Sequence, residues 1–301
     1  MRVPSRSHGP RPTPGPCAPT DLAGYRDAVA ELSTELGALA DAMSGAARQR
    51  LLDERLRRPD LATVLDATPQ GLVGTRETLL LELARQRPEA DLSGLAGLVR
   101  GHLLSRIDAV WWADVAAFAT DTAVHTSPEL VDLEWLRRRG LIGFGYRQQP
   151  VSPLGRGLRA AHRGLRPHAA PRTAGLPFRR GRREIIALLN DLAREFAAGA
   201  PPGTPPLWVT DLAHSVEHQH RLRRLGAPTW RSGAHSQGYA VDLELDWFAR
   251  FGARDTLAGI LRARQAAGEI NLIDQGSAWH VCLAPTARRR LRRAYEAEMG
   301  V

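Results

Sequence analysis

The stretch that most restricts the fold is RSGAHSQGYAVDLELDW, residues 231–247. From Tyr239 onward, apolar side chains alternate with a second series that contains Asp242 and Glu244, which is the period of a half-buried β-strand. Asp242 therefore lies on the polar face of the predicted strand. His235 precedes the strand in a turn that is rich in serine and glycine.

The N-terminal half has a different pattern. Residues 1–19 are rich in proline and arginine and are predicted to be a disordered tail. From residue 20 to 150, apolar residues recur three and four positions apart, which predicts helices. One of these helices is delimited by Ser127 as its cap, Pro128 at its first position and Gly140 past its end. No motif in this helical region carries recognisable chemistry, so the sequence assigns it no role.

Residues 151–180 are rich in glycine, proline and arginine and are interpreted as a linker or an irregular wrap. In residues 181–301, helices alternate with short strands, and the segments EINLID and SAWHVCL predict a hairpin. An amphipathic helix opens this part, with an apolar stripe of Ile185, Ile186, Leu189, Leu192 and Phe196. We therefore predict an α+β fold, an all-helical region followed by a domain with a small antiparallel sheet flanked by helices.

Composition excludes several classes of protein. The net charge is +9, but all 41 basic residues are arginine, as in chains from GC-rich genomes, so we expect no nucleic-acid partner. The two cysteines, Cys17 and Cys282, form no cysteine-type zinc module. The N-terminus lacks the apolar segment of a secretory signal, and no run of 18 apolar residues exists. These features predict a cytoplasmic protein without a membrane partner, and they leave its oligomeric state open.

Three side chains of the C-terminal domain suit a hydrolytic zinc centre, which takes three protein ligands and leaves a fourth position open. They are His235, Asp242 and His280, and the last two lie in the middle of predicted strands. If those strands are neighbours, all three side chains converge on one face. The sequence also allows a simpler interpretation, in which His235 and Asp242 form a hydrogen-bonded pair that orders the turn.

This pattern resembles the zinc D-alanyl-D-alanine peptidases, the carboxypeptidases and dipeptidases that share a fold with the hedgehog signalling domain. The resemblance covers roughly residues 183–284. Its motif residues here are Ser232, His235, Gly238, Ala240 and Asp242, followed by the Trp279-His280 pair and preceded by Gln219. The resemblance implies that His235, Asp242 and His280 bind Zn²⁺ and that the substrate is a small peptide of the peptidoglycan type.

Two positions depart from the pattern of the family. The family has a glutamate base three residues before the last histidine, where this chain has Ser277, and an arginine for the oxyanion, where this chain has His214. Loss of a general base costs about 10²- to 10⁴-fold in rate. Loss of one oxyanion donor costs about 10²- to 10³-fold. Without replacements, metal binding would survive and hydrolysis would nearly vanish.

Replacements are present in the sequence. Asp274, Glu269 and Glu244 are acids close to the predicted ligands, and Asp274 or Glu244 is the preferred base. His214, when protonated, is the candidate oxyanion donor. The predicted function is therefore zinc-dependent hydrolysis of a small peptide or amide. The alternative is a non-catalytic module that retains the metal and binds a peptide or a protein.

A competing motif occupies the same region. HSVEH, residues 214–218, fits the H-x-x-E-H pattern of inverted zincins, in which two histidines one helical turn apart bind zinc. In that arrangement, His214 and His218 would be the ligands and Glu217 the base. The pattern is only five residues long in a chain with 10 histidines, so a chance match is plausible.

Overall fold

The computed structural model describes residues 21–39, 45–85, 92–149, 171, 175–225, 233–276 and 278–300. The predicted tail, most of the predicted linker, Ser232 and Ser277 lie outside this part of the chain. The α+β prediction is confirmed, since helices dominate the N-terminal half and a sheet organises the C-terminal half. No helix among the described residues is both long and apolar enough to cross a membrane.

Five helices open the described part of the chain: α1 (Leu22–Leu39), α2 (Gly45–Leu56), α3 (Pro59–Asp66), α4 (Gly71–Arg85) and α5 (Leu92–Trp111). α1 packs along α5, and the buried Tyr25 hydroxyl donates a hydrogen bond of 2.7 Å to the Leu103 carbonyl. Leucine, valine and isoleucine side chains fill the space between the helices. The predicted helical periodicity therefore reflects a real apolar core.

The predicted helix start at Pro128 is wrong. Residues 130–132 instead form a strand, and the following helix spans Leu133–Arg138, with Asp132 accepting hydrogen bonds as its N-cap. The strand forms because it pairs antiparallel with residues 180–182, a partner that local periodicity does not reveal. The predicted end is confirmed by Gly140, which has a φ of +68°.

The described strands, in chain order, are β1 (Leu130–Asp132), β2 (Gly145–Tyr146), β3 (Arg180–Arg182), β4 (Trp208–Asp211), β5 (Ala240–Glu244), β6 (Ile270–Asp274) and β7 (Ala278–Leu283). β1 and β3 form a separate pair, and the other strands form a sheet in the order β2-β4-β5-β7-β6. The β2–β4 pair is parallel and the remaining neighbours are antiparallel. The predicted β6–β7 hairpin is confirmed.

The remaining helices, in chain order, are α6 (Asp121–Thr126), α7 (Leu133–Arg138), α8 (Arg183–Gly199), α9 (Val216–Arg224), α10 (Ala234–Gln237), α11 (Arg254–Ala266) and α12 (Pro285–Met299). A short 3₁₀ helix spans Asp246–Phe251. The predicted apolar stripe of α8 is confirmed, because all five of its side chains are buried. They belong to one core with Val241, Leu243 and Val281 of the sheet.

The prediction of a half-buried β5 is wrong, because β5 is buried on both faces. Asp242 lies opposite His280, and His280 lies opposite Ile273, so these three side chains share one face of the sheet. Ile273 belongs to the core of the N-terminal helices, and α5 packs directly against β6. The polar face is therefore covered by helix α5 and not by solvent.

The predicted division of the chain at residue 150 remains a prediction, but contacts cross it. β2 precedes that boundary and pairs with β4 beyond it. Leu176 and Phe178, within the predicted linker, are buried.

Candidate metal centre

The turn that carries His235 is built by one short helix and one glycine. α10 spans only Ala234–Gln237 and ends at Gly238, which has a φ of +78°. The positive φ favours glycine. A Cβ at this position would lie 3.1 Å from the Nε of Arg182, so that side chain would have to shift by a few tenths of an ångström. The chain thus turns sharply into β5 and brings the His235 ring back over that strand.

The three predicted ligands converge. The Nε2 atom of His235 lies 3.0 Å from the Oδ1 atom of Asp242 and 3.1 Å from the Nδ1 atom of His280. The third distance, between His280 Nδ1 and Asp242 Oδ1, is 3.0 Å. All three residues are at most 3% exposed. The condition set by the sequence, that β5 and β7 are neighbours, is met because Asp242 and His280 face each other across them.

The outer nitrogen of each imidazole is held by an acceptor. His235 Nδ1 lies 2.9 Å from the carbonyl oxygen of Leu212, and His280 Nε2 lies 2.9 Å from a carboxylate oxygen of Asp108. A carbonyl and a carboxylate both accept, so these outer nitrogens can donate. The inner nitrogens also face an acceptor, the Oδ1 atom of Asp242, at 3.0 Å. When the protons of the neutral rings lie on the outer nitrogens, the inner nitrogens present lone pairs to each other and to Asp242. A metal ion at the centre, or a proton on His280, stabilises this arrangement.

The donor set fits zinc. Two imidazole nitrogens and one carboxylate oxygen are typical ligands of a hydrolytic zinc site. Ligand atoms 2.0–2.1 Å from zinc stand about 3.3 Å apart in a regular tetrahedron. The observed separations of 3.0–3.1 Å come close to this value. The buried group of His235, Asp242 and His280 can therefore hold a metal ion with three ligands.

The electrostatics of the cluster are dominated by its carboxylates. Burial alone would lower the pKa of His280, but its hydrogen bonds to Asp108 and Asp242 outweigh burial and raise the pKa to about 10. Burial alone would raise the pKa of Asp242, but the two imidazoles hold it well below its usual range. The cluster thus favours a positive charge between its acceptor atoms, which a proton on His280 or a metal ion supplies.

A second buried group shares His235. Asp211, at the end of β4, and His214 can hold a metal ion together with His235. The ring of His214 stacks on that of His235 with centroids 5.0 Å apart and planes 13° apart. Its Nδ1 atom lies 3.4 Å from Asp211 Oδ2, which is an ion-pair distance without full hydrogen-bond geometry. Burial would raise the pKa of Asp211, but His214 and His235 keep it below its usual value.

The predicted catalytic acids lie elsewhere. Glu244 is buried, its carboxylate accepts a hydrogen bond from the Trp247 amide, and burial raises its pKa. Asp274 is exposed at the end of β6, where its carboxylate accepts from the Gly276 amide. Neither residue belongs to a group of described residues that could hold a metal. The structure therefore brings His214 to the cluster, whereas the carboxylates of Glu244 and Asp274 bond backbone amides just beyond their strands.

The geometry of the inverted-zincin motif differs from its expected form. His214 precedes helix α9 and does not lie on it, since Ser215 is the N-cap. Glu217 bonds Arg221, and His218 Nδ1 lies 3.1 Å from the same guanidinium group. Neither Glu217 nor His218 joins a metal-capable group in the described part of the chain.

Sequence reasoning missed Asp108 and Asp211. Asp211 lies three residues before His214 at the end of a predicted strand, so this short spacing was a usable signal. Asp108 is 172 residues away from His280 and lies on a helix without any motif, so no local signal marks it. Gln219, a motif residue, is buried, and its side-chain oxygen lies 3.5 Å from the Ser236 hydroxyl beside His235.

In comparisons with known proteins, the chain matches no family model, no curated protein and no solved structure.

Proposed function

We propose that this protein is a zinc-dependent hydrolase of small peptides or amides, with His235, Asp242 and His280 as the metal ligands. One observation carries the proposal. The inner nitrogens of two buried imidazoles, whose outer nitrogens are held by acceptors, lie within 3.1 Å of each other and of a carboxylate oxygen. A cation stabilises three lone pairs in this arrangement, and the donor set is one that hydrolytic zinc uses.

Zinc in such a site supplies a Lewis acid that polarises a carbonyl group and generates a nucleophile from water near neutral pH. The residues of the chain have to move the proton. Asp211 and His214 are the best-placed pair, because His214 stacks directly on the ligand His235. They replace Asp274 and Glu244 as our candidates for this role, since the carboxylates of those two residues are used in turns.

His214 has the properties of a proton carrier. It is fully buried, and among the described residues neither of its ring nitrogens has a hydrogen-bond partner. A buried polar group without a partner costs free energy, about 1–3 kcal/mol, so a substrate that engages it recovers that cost. With Asp211 beside Nδ1, His214 Nε2 is left to accept a proton or, once protonated, to donate to an oxyanion.

The first test is metal content and binding. We expect one zinc per chain in the wild type, and we expect His280→Ala to weaken zinc binding on the order of 10²- to 10³-fold, about the share of one ligand. Asp242→Asn is a second variant, of nearly the same shape, in case His280→Ala fails to fold. His218→Ala is the matched control and should retain zinc. If His218→Ala loses zinc and Asp242→Asn keeps it, the inverted zincin is correct and our site is wrong.

The second test is hydrolysis. The resemblance to the peptidase family motivates D-Ala-D-Ala and mixed L,D-dipeptides as substrates. Turnover by the wild type that disappears in His280→Ala and falls at least tenfold in His214→Phe, with zinc retained in the latter, supports the proposal. Full activity in His214→Phe would exclude the role assigned to His214.

A second candidate is a module that retains the metal without catalysis and binds a peptide or a protein. It is favoured by the near-complete burial of all three ligands and by the position of Glu244 and Asp274 away from them. Full zinc occupancy together with no turnover of any dipeptide would support this candidate over the hydrolase.

A further inference from the structure

Asp108 connects the N-terminal helices to the metal centre. It lies on α5 and is fully buried. Its Oδ2 atom lies 2.9 Å from His280 Nε2, and its Oδ1 atom accepts a hydrogen bond of 2.9 Å from the side-chain amide of Asn271. Among the described residues, this carboxylate forms its ion pair with His280. Asn271 is itself held, because it also donates to the Leu104 carbonyl of α5 at 3.0 Å.

The burial of the Asp108 carboxylate requires a physical explanation. Burying a charged group costs several kcal/mol unless it is paired and hydrogen-bonded. A purely structural carboxylate is commonly paired with arginine, whose guanidinium group matches it with two hydrogen bonds. Asp108 is bonded instead to a histidine whose other nitrogen faces Asp242 and His235. The arrangement of carboxylate, imidazole and cation site is the one that metal-binding histidines show in proteins.

Residues 108–118, which begin with Asp108, also contact the turn that carries His235, the other imidazole of the proposed site. The amide of Phe118 donates a hydrogen bond of 2.7 Å to the Ser236 carbonyl, next to His235. The side chain of Gln237, at the end of α10, donates to the Val115 carbonyl at 3.0 Å. Trp112 stacks on Tyr239, with ring centroids 3.5 Å apart and planes 3° apart. Residues 108–118 therefore contact both the strand of His280 and the turn of His235.

We propose that Asp108 is a positioning residue for the metal centre and that the N-terminal helices are a structural part of that centre, braced through residues 108–118. This inference rests on the proposed metal site. Asp108 fixes the tautomer and orientation of the His280 ring so that Nδ1 faces the metal. Together, Asp108 and Asp242 bring two carboxylates to the cluster, which match the double charge of a divalent cation.

The test compares Asp108→Asn with Asp114→Asn. Asp114 is an exposed acid in the same segment and serves as the matched control. Zinc dissociation constants, measured by competition with a chromophoric chelator, should rise about 10- to 100-fold in Asp108→Asn and remain unchanged in Asp114→Asn. Cobalt substitution gives the readout of positioning, since the visible d–d bands should shift in Asp108→Asn and not in Asp114→Asn.

Two further variants keep the test decisive. Asn271→Ser retains the carboxylate but removes its second anchor, and we expect it to weaken zinc binding less than Asp108→Asn does. If Asp108→Asn fails to fold, Asn271→Ser takes its place in the test. Unchanged zinc affinity in Asn271→Ser would then contradict the proposal. Asp108→Glu should restore part of the affinity lost in Asp108→Asn, because the carboxylate is kept.

The outcomes separate this inference from the proposed function. A wild-type protein that binds no zinc overturns both. A wild type that binds zinc, with the same affinity and the same cobalt spectrum in Asp108→Asn, overturns the role of Asp108 and leaves the metal site intact. A fall in thermal stability without any change in zinc affinity would give Asp108 a merely structural role and would also reject the proposal.

Discussion

His102 and His280 are both buried, one in the core of the N-terminal helices and one in the sheet, and their surroundings shift their pKa values in opposite directions. Burial and the charge of Arg106 lower the pKa of His102 to about 3. In His280, two carboxylates overcome the effect of burial and raise the pKa to about 10. No carboxylate among the described residues bonds the ring of His102, whereas both nitrogens of His280 face carboxylate oxygens.

The difference shows what makes a buried histidine a candidate ligand. Burial by itself favours the neutral ring in both places. In the sheet, two carboxylates instead favour a positive charge on or beside the ring of His280. Helix α5 takes part in both environments, since it carries His102 and also Asp108, six residues further along. One helix therefore contributes to an apolar core on one side and brings a carboxylate to His280 on the other.

The largest expected effect is that of the metal itself. Free zinc at about a thousand times its dissociation constant should raise the free energy of unfolding by about 4 kcal/mol. Denaturant unfolding with and without a chelator, followed by both tryptophan fluorescence and circular dichroism, measures this difference. We expect both probes to shift together, because Asp108 couples α5 to His280. If the free energy of unfolding is the same with and without the chelator, His280 is not part of a metal site and differs from His102 only in its pKa.

The next effect comes from His102. In the unfolded chain it takes up a proton near its ordinary pKa of 6.5, but in the folded chain only near 3. Its neutral form therefore stabilises the fold above pH 6.5, and this contribution is lost as the pH falls from 6.5 toward 3. Between pH 6.5 and 4.5 the loss is about 2–3 kcal/mol.

The control for His102 is a variant that cannot titrate. Between pH 6.5 and 4.5, the free energy of unfolding should fall by about 2–3 kcal/mol less in His102→Gln than in the wild type. Urea unfolding at the two pH values measures this difference. Identical pH dependence in the two proteins would mean that the His102 ring is not held neutral by its surroundings.

A smaller effect concerns the backbone of the turn that positions His235. Gly238→Ala should destabilise the fold by about 1–2 kcal/mol, because an L-residue is strained at its positive φ. It should also weaken zinc binding, since the turn sets the place of His235. Gly233→Ala is the control, because Gly233 has a φ of −59° and open space around its Cβ position. Equal stability of the two variants would contradict this account of the turn.

The smallest effect is expected at Asp274. Its side chain is exposed and bonds only the adjacent turn among the contacts described, so Asp274→Ala should change stability by no more than about 0.5 kcal/mol. Zinc affinity should be unchanged in the same variant. A clear loss of zinc affinity or of dipeptide turnover would restore Asp274 as the base that the sequence favoured.

The sequence alone predicted the class of fold and the three ligands of the proposed site. Three of the signals are local, because residues close in the chain encode them. They are the glycine at position 238, the alternating pattern of β5 and the hairpin that follows β5. The spacing of His235 and Asp242 is of this kind. The prediction that His280 joins them depended only on β5 and β7 being neighbours, and the two strands do pair antiparallel.

Tertiary structure decided what surrounds those ligands. The predicted polar face of β5 is buried, because α5 covers it and brings Asp108 to a histidine 172 residues away. Asp211 acquires its place through the pairing of β4 with β5, and Glu244 turns to a backbone amide nearby. Such contacts depend on how helices and strands pack over long separations, and no periodicity within a segment records them. Local sequence features therefore indicate the proposed ligands, and the packing of α5 on the sheet brings the Asp108 carboxylate to one of them, His280.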